Sequence, residues 1–154
     1  SCSAAVLEGE DVVYVARVAG RRIMSVSLTV GARLPAYCTS MGRVLLSDLD
    51  DADLARFFRK ASIRANTPKK VTDRHALACL VAEVRRAGYA VVDEELELGL
   101  RSIAVPVRGR TGRIVAAINV STQTARFSCA DLREIILPLL RAAAGKIEDF
   151  QAVQ

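Results

Sequence analysis

The sequence predicts an α+β domain built on a largely antiparallel sheet. Three observations carry that expectation. Apolar residues alternate with period two near both ends of the chain, they recur at helical spacing in the middle and at the C terminus, and short polar turns separate the strand-like runs. Strands, then helices, then strands again point to segregated α+β architecture rather than alternating βα units. The 154 residues fit a single domain, 1–154, and a chain of that size buries about 70% of its unfolded surface, enough for a real core.

Taken in order, residues 2–7 read as a strand, Glu8-Gly9-Glu10-Asp11 as a turn, and 12–18 as a second strand. Val13, Val15 and Arg17 take one side of it, with Val12, Tyr14, Ala16 and Val18 on the other. After a turn at 20–22, residues 23–30 alternate again and predict a third strand. Residues 34–46, LPAYCTSMGRVLL, carry an apolar segment ending in Pro35, then Thr39-Ser40-Met41-Gly42, then a helical apolar run. That is a strand or loop running into a helix with a hydroxyl residue as its cap. Asp50 is the expected cap of a helix over 51–60, with Leu54, Phe57 and Phe58 as its apolar stripe. Thr67-Pro68 breaks the chain before Thr72 or Asp73 caps a longer helix bearing Leu77, Leu80, Val81 and Val84, closed by Gly88. Residues 89–92 predict a short strand, and 98–107 pairs with 113–122 around a turn at 109–112. Ser128 with Asp131 starts the last helix, whose one face should hold Leu132, Ile135, Ile136, Leu139, Leu140, Ala143, Ile147 and Phe150. Pro138 should bend it by removing a backbone donor.

Composition narrows the function. At 51% hydrophobic and 5% aromatic, with no Trp, the core must be aliphatic. No apolar run approaches the ~18 residues of a membrane span and no signal-peptide pattern opens the chain, so a cytoplasmic protein without membrane contact is expected. The net charge of +5 suggests nucleic acid, but the pairs Arg21-Arg22, Lys69-Lys70 and Arg85-Arg86 are dispersed, lack interleaved aromatics, and alternate with acidic clusters at 48–53 and 93–97. Solvated faces explain them better. Cys2, Cys38, Cys79 and Cys129 have no CxxC spacing and His75 is the only histidine. No metal, no cofactor and free thiols follow, with Cys79 expected in the core as a small hydrophobe.

Few positions remain that can carry chemistry. At the 39–42 helix start, unsatisfied backbone N–H groups could hold a small carboxylate, or the hydroxyl could simply cap its own helix. Asn119 and Ser121 lie two apart on a strand and so face one way, toward solvent or a polar patch in a pocket, while Ile118 and Val120 face the other. Leu100 and Arg101 point to opposite faces; Arg101 could anchor a carboxylate or form a salt bridge with Glu95 or Glu97. The acidic run Asp93, Glu94, Glu95, Glu97 alternates with leucines as a half-solvated edge does, not as tuned catalytic carboxylates. Cys38 as a nucleophile lacks an evident base, since His75 precedes a distant helix.

Four stretches in order, LPAYCTSMGRVLL, TPKKVTD (67–73), GYAVVDEELELGLRSIAVPV (88–107) and GRIVAAINVS (112–121), resemble the C-terminal effector-binding domain of IclR-type bacterial transcription regulators. The wording VVYVARV and RRIMSVSLTVGARLPAYCTSMGR is most similar to the branch regulating aromatic-acid breakdown through the β-ketoadipate route. The resemblance implies a GAF-like, profilin-like sheet flanked by helices, with an effector cup on one face. It implies effector contacts at Ser40, Met41, Gly42, Leu100, Asn119 and Ser121, beside the candidate anchor Arg101, and a dimer or tetramer. It also implies that DNA is read by a separate N-terminal helix-turn-helix, which this chain should lack, having no room for it before Ser1. Val92 stands where many members carry an acid, and Ser102 where Cys is frequent. The expected function is sensing of a small carboxylate of the protocatechuate, 4-hydroxybenzoate or β-ketoadipate class. The rivals are an enzyme using Cys38, an oligomerisation module without ligand, and direct DNA binding.

Overall fold

Strand β1 (Cys2–Glu8) reverses at Gly9, whose φ of +61° suits a residue without Cβ, into β2 (Asp11–Val18). The computed structural model describes residues 1–20 and 28–154. The third strand expected over 23–30 falls mostly outside the described residues, and its end at 28–30 is not strand. The partner of β2 is instead β3 (Arg33–Pro35), a stretch expected as the approach to a helix. Among the described residues β3 is the sheet edge, where the donor missing at Pro35 costs no ladder bond. Arg33 fixes this edge by donating to Glu8 Oε1 at 3.0 Å and Asp11 Oδ2 at 3.2 Å.

A 3-10 turn (Ala36–Cys38) then leads into α1 (Ser40–Leu46). Helix α2 (Asp51–Lys60) is capped by Asp50, and α3 (Arg74–Ala87) by Asp73, ending at Gly88 with φ of +77°. Strands β4 (Ala90–Asp93), β5 (Leu100–Arg108) and β6 (Ile114–Gln123) complete a six-stranded sheet of order β3-β2-β1-β6-β5-β4. Every neighbouring pair is antiparallel.

The last helical run differs from expectation. A turn, α4 (Cys129–Asp131), opens with the Ser128–Asp131 capping box, widens into a π-helical segment (Leu132–Ile136), and continues as α5 (Leu137–Ala152). Pro138 therefore sits in the first turn of α5 rather than in mid-helix. Its ring would collide with the Glu134 carbonyl in a regular helix, and the wider π turn removes that conflict. The buried face holds Leu132, Leu137, Leu140 and Ala144, whereas Ile135, Leu139, Ile147 and Phe150, expected on it, are exposed. The extra residue in the π turn rotates the helix relative to a strict 3.6 count.

Strand alternation separates two cores. One side of the sheet, with Ala5, Tyr14, Ala104 and Ala117, packs under α1, α2 and α3; the other, with Ile103, Val105, Val107 and Ile118, packs against α5. Ala5, Ala104 and Ala117 are completely buried on the α1 side, small side chains that let a short helix pack close to the sheet. Cys79, expected in the core, is exposed, and all four cysteines are free thiols. Among the described residues no helix is long and apolar enough to cross a membrane.

Candidate functional site

The placement of α1 depends on the residues around its first turn. Thr39, in extended conformation, accepts from the Gly42 amide at 3.2 Å and is the cap. That leaves the Ser40 hydroxyl to meet the sheet, where it accepts from Ser102. Gly42 lies against the preceding turn so closely that a Cβ there would overlap the Ala36 carbonyl oxygen and Cα. From within the fold, Arg43 donates to the Tyr37 carbonyl at 2.9 Å and to Glu95 Oε1 at 2.7 Å, and the Val71 amide donates to the same oxygen at 3.0 Å. A fully formed network of this kind holds α1 and the 67–71 and 94–95 loops in one arrangement.

Between α1 and the sheet lies a hollow of about 20 Å³, room for a single water. Tyr14, Val92, Leu96 and Leu100 supply apolar walls, with Leu28, Cys38 and Thr39 beside them. Ser40, Ser102, Asn119 and Ser121 supply its polar groups. Ser102 pairs with Ser121 across β5–β6 and with Val92 across β4–β5, so the polar side chains sit in adjacent rows on the α1 face. Ser102 Oγ donates to Ser40 Oγ at 2.8 Å, and Asn119 Nδ2 donates to Ser121 Oγ at 3.3 Å. Asn119 is 5% exposed, yet its Oδ1 has no hydrogen-bond partner. A buried acceptor left unpaired costs about 1–3 kcal/mol and marks a place for a donor.

Of the seven positions expected at the cup, Ser40, Leu100, Asn119 and Ser121 border the hollow. Met41 and Gly42 are buried under α1 and do not border it; the Gly42 amide is taken by Thr39. Arg101, on the α5 side of β5, donates to Asp93 Oδ1 at 2.9 Å and to the Phe127 carbonyl at 2.7 Å, so its salt-bridge partner is Asp93 rather than Glu95 or Glu97. Tyr14, Val92, Leu96 and Ser102 border the hollow without having been singled out as contacts. Alternation with Leu100 and pairing with Ser121 would have placed Ser102 there.

Burial pushes the Cys38 thiol pKa up, more than the nearby Lys70 and Arg43 charges pull it down. His75 lies beside exposed Cys79, with Nε2 at 3.8 Å from that sulfur, and so gives Cys38 no base. Burial likewise raises the Tyr14 phenol, against a smaller opposing effect of Arg17. The Cys38 thiol beside the hollow is thus neither activated nor paired with His75. A larger groove of about 480 Å³ lies along Leu98, Phe127 and Ile136 over buried Leu132, and shares Leu100 and Ser121 with the hollow.

Residues 1–149 match the family described as "Bacterial transcriptional regulator IclR C-terminal". The chain is 48% identical over 141 residues to the Pca regulon regulatory protein of Pseudomonas putida, covering 91% of this chain and 48% of that one. The inducer-binding domain of the PobR transcription factor from Acinetobacter, solved as a double mutant with 3-hydroxybenzoic acid, superposes with a TM-score of 0.87 at 38% identity, over 96% of this chain and 86% of that one. An IclR homologue from Microbacterium hydrocarbonoxydans, solved with 4-hydroxybenzoate, superposes with a TM-score of 0.86 at 28% identity, over 99% of this chain and 61% of that one. The chain spans about half the length of the curated relatives it matches.

Proposed function

This chain belongs to the IclR family of bacterial transcription regulators as a C-terminal effector-binding domain, and from that premise we propose that its hollow senses a small aromatic or dicarboxylic acid of the protocatechuate, 4-hydroxybenzoate or β-ketoadipate class. The observation that carries the reading is the two hydrogen-bonded pairs Ser40–Ser102 and Asn119–Ser121, with one buried oxygen unpaired, inside largely apolar walls. Polar groups that few in number fix the orientation of a ligand held mainly by apolar contact. The two relatives solved with hydroxybenzoates support the aromatic members of the class. A benzene-sized cavity needs about 150 Å³, against about 20 Å³ here, so uptake requires the walls to part. Affinity is then reduced by the fraction of molecules in which they have parted.

The domain binds its acid without transforming it, in the cytoplasm, as part of a longer protein whose DNA contacts lie in another segment. Occupancy favours one arrangement of subunits in a dimer or tetramer, to the extent that the acid binds the two arrangements unequally. Exposed Ile135, Leu139, Ile147 and Phe150 offer apolar surface for such contacts.

A melting-temperature panel of protocatechuate, 4-hydroxybenzoate, β-ketoadipate and succinate tests the reading. A specific acid at 100 times its Kd adds about 2.7 kcal/mol, a rise of about 5–11 °C for a domain of this size. Ser40→Ala and Ser121→Ala each weaken the best acid while leaving the fold intact. A flat response to every acid overturns the reading.

A further inference from the structure

Lys70 is the one buried lysine among the described residues, 7% exposed, and its Nζ meets no carboxylate or carbonyl, its polar neighbour being the Cys38 thiol. It rests 4.9 Å from the Tyr37 ring centroid and beside Cys38, whose thiol its charge influences. Cys38 in turn borders the hollow. Among the described residues the only buried carboxylate, Glu95, is already committed to Arg43 and the Val71 amide through a single oxygen. Two buried cations therefore share one buried anion. The neighbouring, partly exposed group does not redress this, because Lys69 and Arg101 are matched by Glu94 and Asp93.

We infer that Lys70 supplies the counter-charge for the carboxylate of the effector, acting across Cys38 from behind the wall of the hollow. A buried ammonium without an anion is costly, and a cation–π contact offsets only part of that cost. A carboxylate in the hollow restores neutrality to the cluster, and in so dry a setting the attraction works through one layer of side chain without direct contact. The serine hydroxyls and Asn119 then orient the acid, while Lys70 decides that it must be an anion. Lys70 is thus a specificity-determining residue for charge, and the inference rests on the hollow being the effector site.

The test compares 4-hydroxybenzoate and protocatechuate with their neutral primary amides by calorimetry, on the wild-type chain and on Lys70→Met and Lys70→Arg. In the wild type each acid binds at least tenfold more tightly than its amide. Lys70→Met weakens the acids at least tenfold and leaves the amides within threefold, and its unliganded melting temperature does not fall. Lys70→Arg keeps the preference for the acid. If Lys70→Met binds the acids as the wild type does, the inference fails and the hollow remains the site. Equal weakening of acid and amide, or a lower melting temperature in Lys70→Met with an unchanged acid-to-amide ratio in Lys70→Arg and Lys70→Met alike, makes Lys70 a packing strut and overturns the inference. No binding of acid or amide by the wild type defeats both the inference and the reading beneath it.

Discussion

Replacing Gly42 by Ala opposes two effects of different sign. Position 42 lies inside α1, where Ala is favoured over Gly by about 1 kcal/mol on intrinsic helix propensity. The new Cβ, however, would overlap the backbone of Ala36, which sits in the preceding 3-10 turn and is completely buried. Backbone does not swing aside as a side chain does, so α1 must lift away from the turn, at about 3 kcal/mol, the upper end of ordinary overpacking. The net loss is about 2 kcal/mol, a fall of about 4–8 °C in a domain of this size. Gly145→Ala is the matched control, because it lies within α5 and its Cβ would meet nothing within 4 Å. That change should stabilise by up to about 1 kcal/mol. Urea unfolding of both variants, with m unchanged, measures the pair. A Gly42→Ala protein as stable as the wild type, or more so, refutes the claim that close approach at Ala36 positions α1. Lifting α1 also draws Ser40 from Ser102, so acid binding should weaken with stability.

Removing the carboxylate of Glu95 by Glu95→Ala leaves Arg43 buried without its anion and should cost about 3–5 kcal/mol in chemical denaturation; a loss below about 1 kcal/mol would contradict the buried pairing. Asp73→Ala deletes the hydrogen bond to the Ala76 amide and should cost about 1 kcal/mol, read from the urea midpoint. The Glu94 pKa is lowered, first by the Lys69 hydrogen bond and then by the Gly99 amide. A depressed carboxylate stabilises the fold above its unfolded pKa, about 4.3, and that contribution disappears as pH falls through the lower folded value. The stability difference between wild type and Glu94→Gln should therefore be present at pH 7 and vanish in strong acid; a difference that grows on acidification contradicts the sign. Iodoacetamide at pH 8 should modify exposed Cys2 and Cys79 in the native protein and spare Cys38, whose thiol is buried and shifted upward, until urea unfolds the chain.

Local rules carried much of the fold. The caps Asp50, Asp73 and Ser128 and the αL glycine at 88 follow from side chains that satisfy orphan helix groups within three residues, and such contacts need no knowledge of the rest of the chain. The errors arose where distant structure decides. Residues 33–35 become a strand only because β2 offers an edge to pair with, and nothing in Arg-Leu-Pro announces it. Cys79 occupies an apolar-looking position, but α3 turns Leu77, Val81 and Val84 inward and leaves it outside. In the last helix the expected apolar face assumed an uninterrupted 3.6-residue period, and the π turn before Pro138 shifted the residues that follow.

The site divides along the same line. Strand parity separates Leu100 from Arg101 and puts Asn119 with Ser121, so which face each side chain takes is readable from spacing alone. What parity omits is the neighbour across the sheet and the helix above it. Ser102 belongs to the polar set because β5 pairs it with Ser121 and α1 brings Ser40 within hydrogen-bond distance, contacts that span 62 residues in the second case. Met41 and Gly42 entered with Ser40 because the resemblance covers the whole helix entry; a helix rotates successive residues by about 100°, and of the three only Ser40 borders the hollow. Among the described residues, the unpaired Asn119 Oδ1 and the buried Lys70 ammonium without an anion have no sequence signature at all. A residue type states what a side chain can bond to; only the packed structure shows which of those bonds remain to be made, and those are the bonds a ligand can supply.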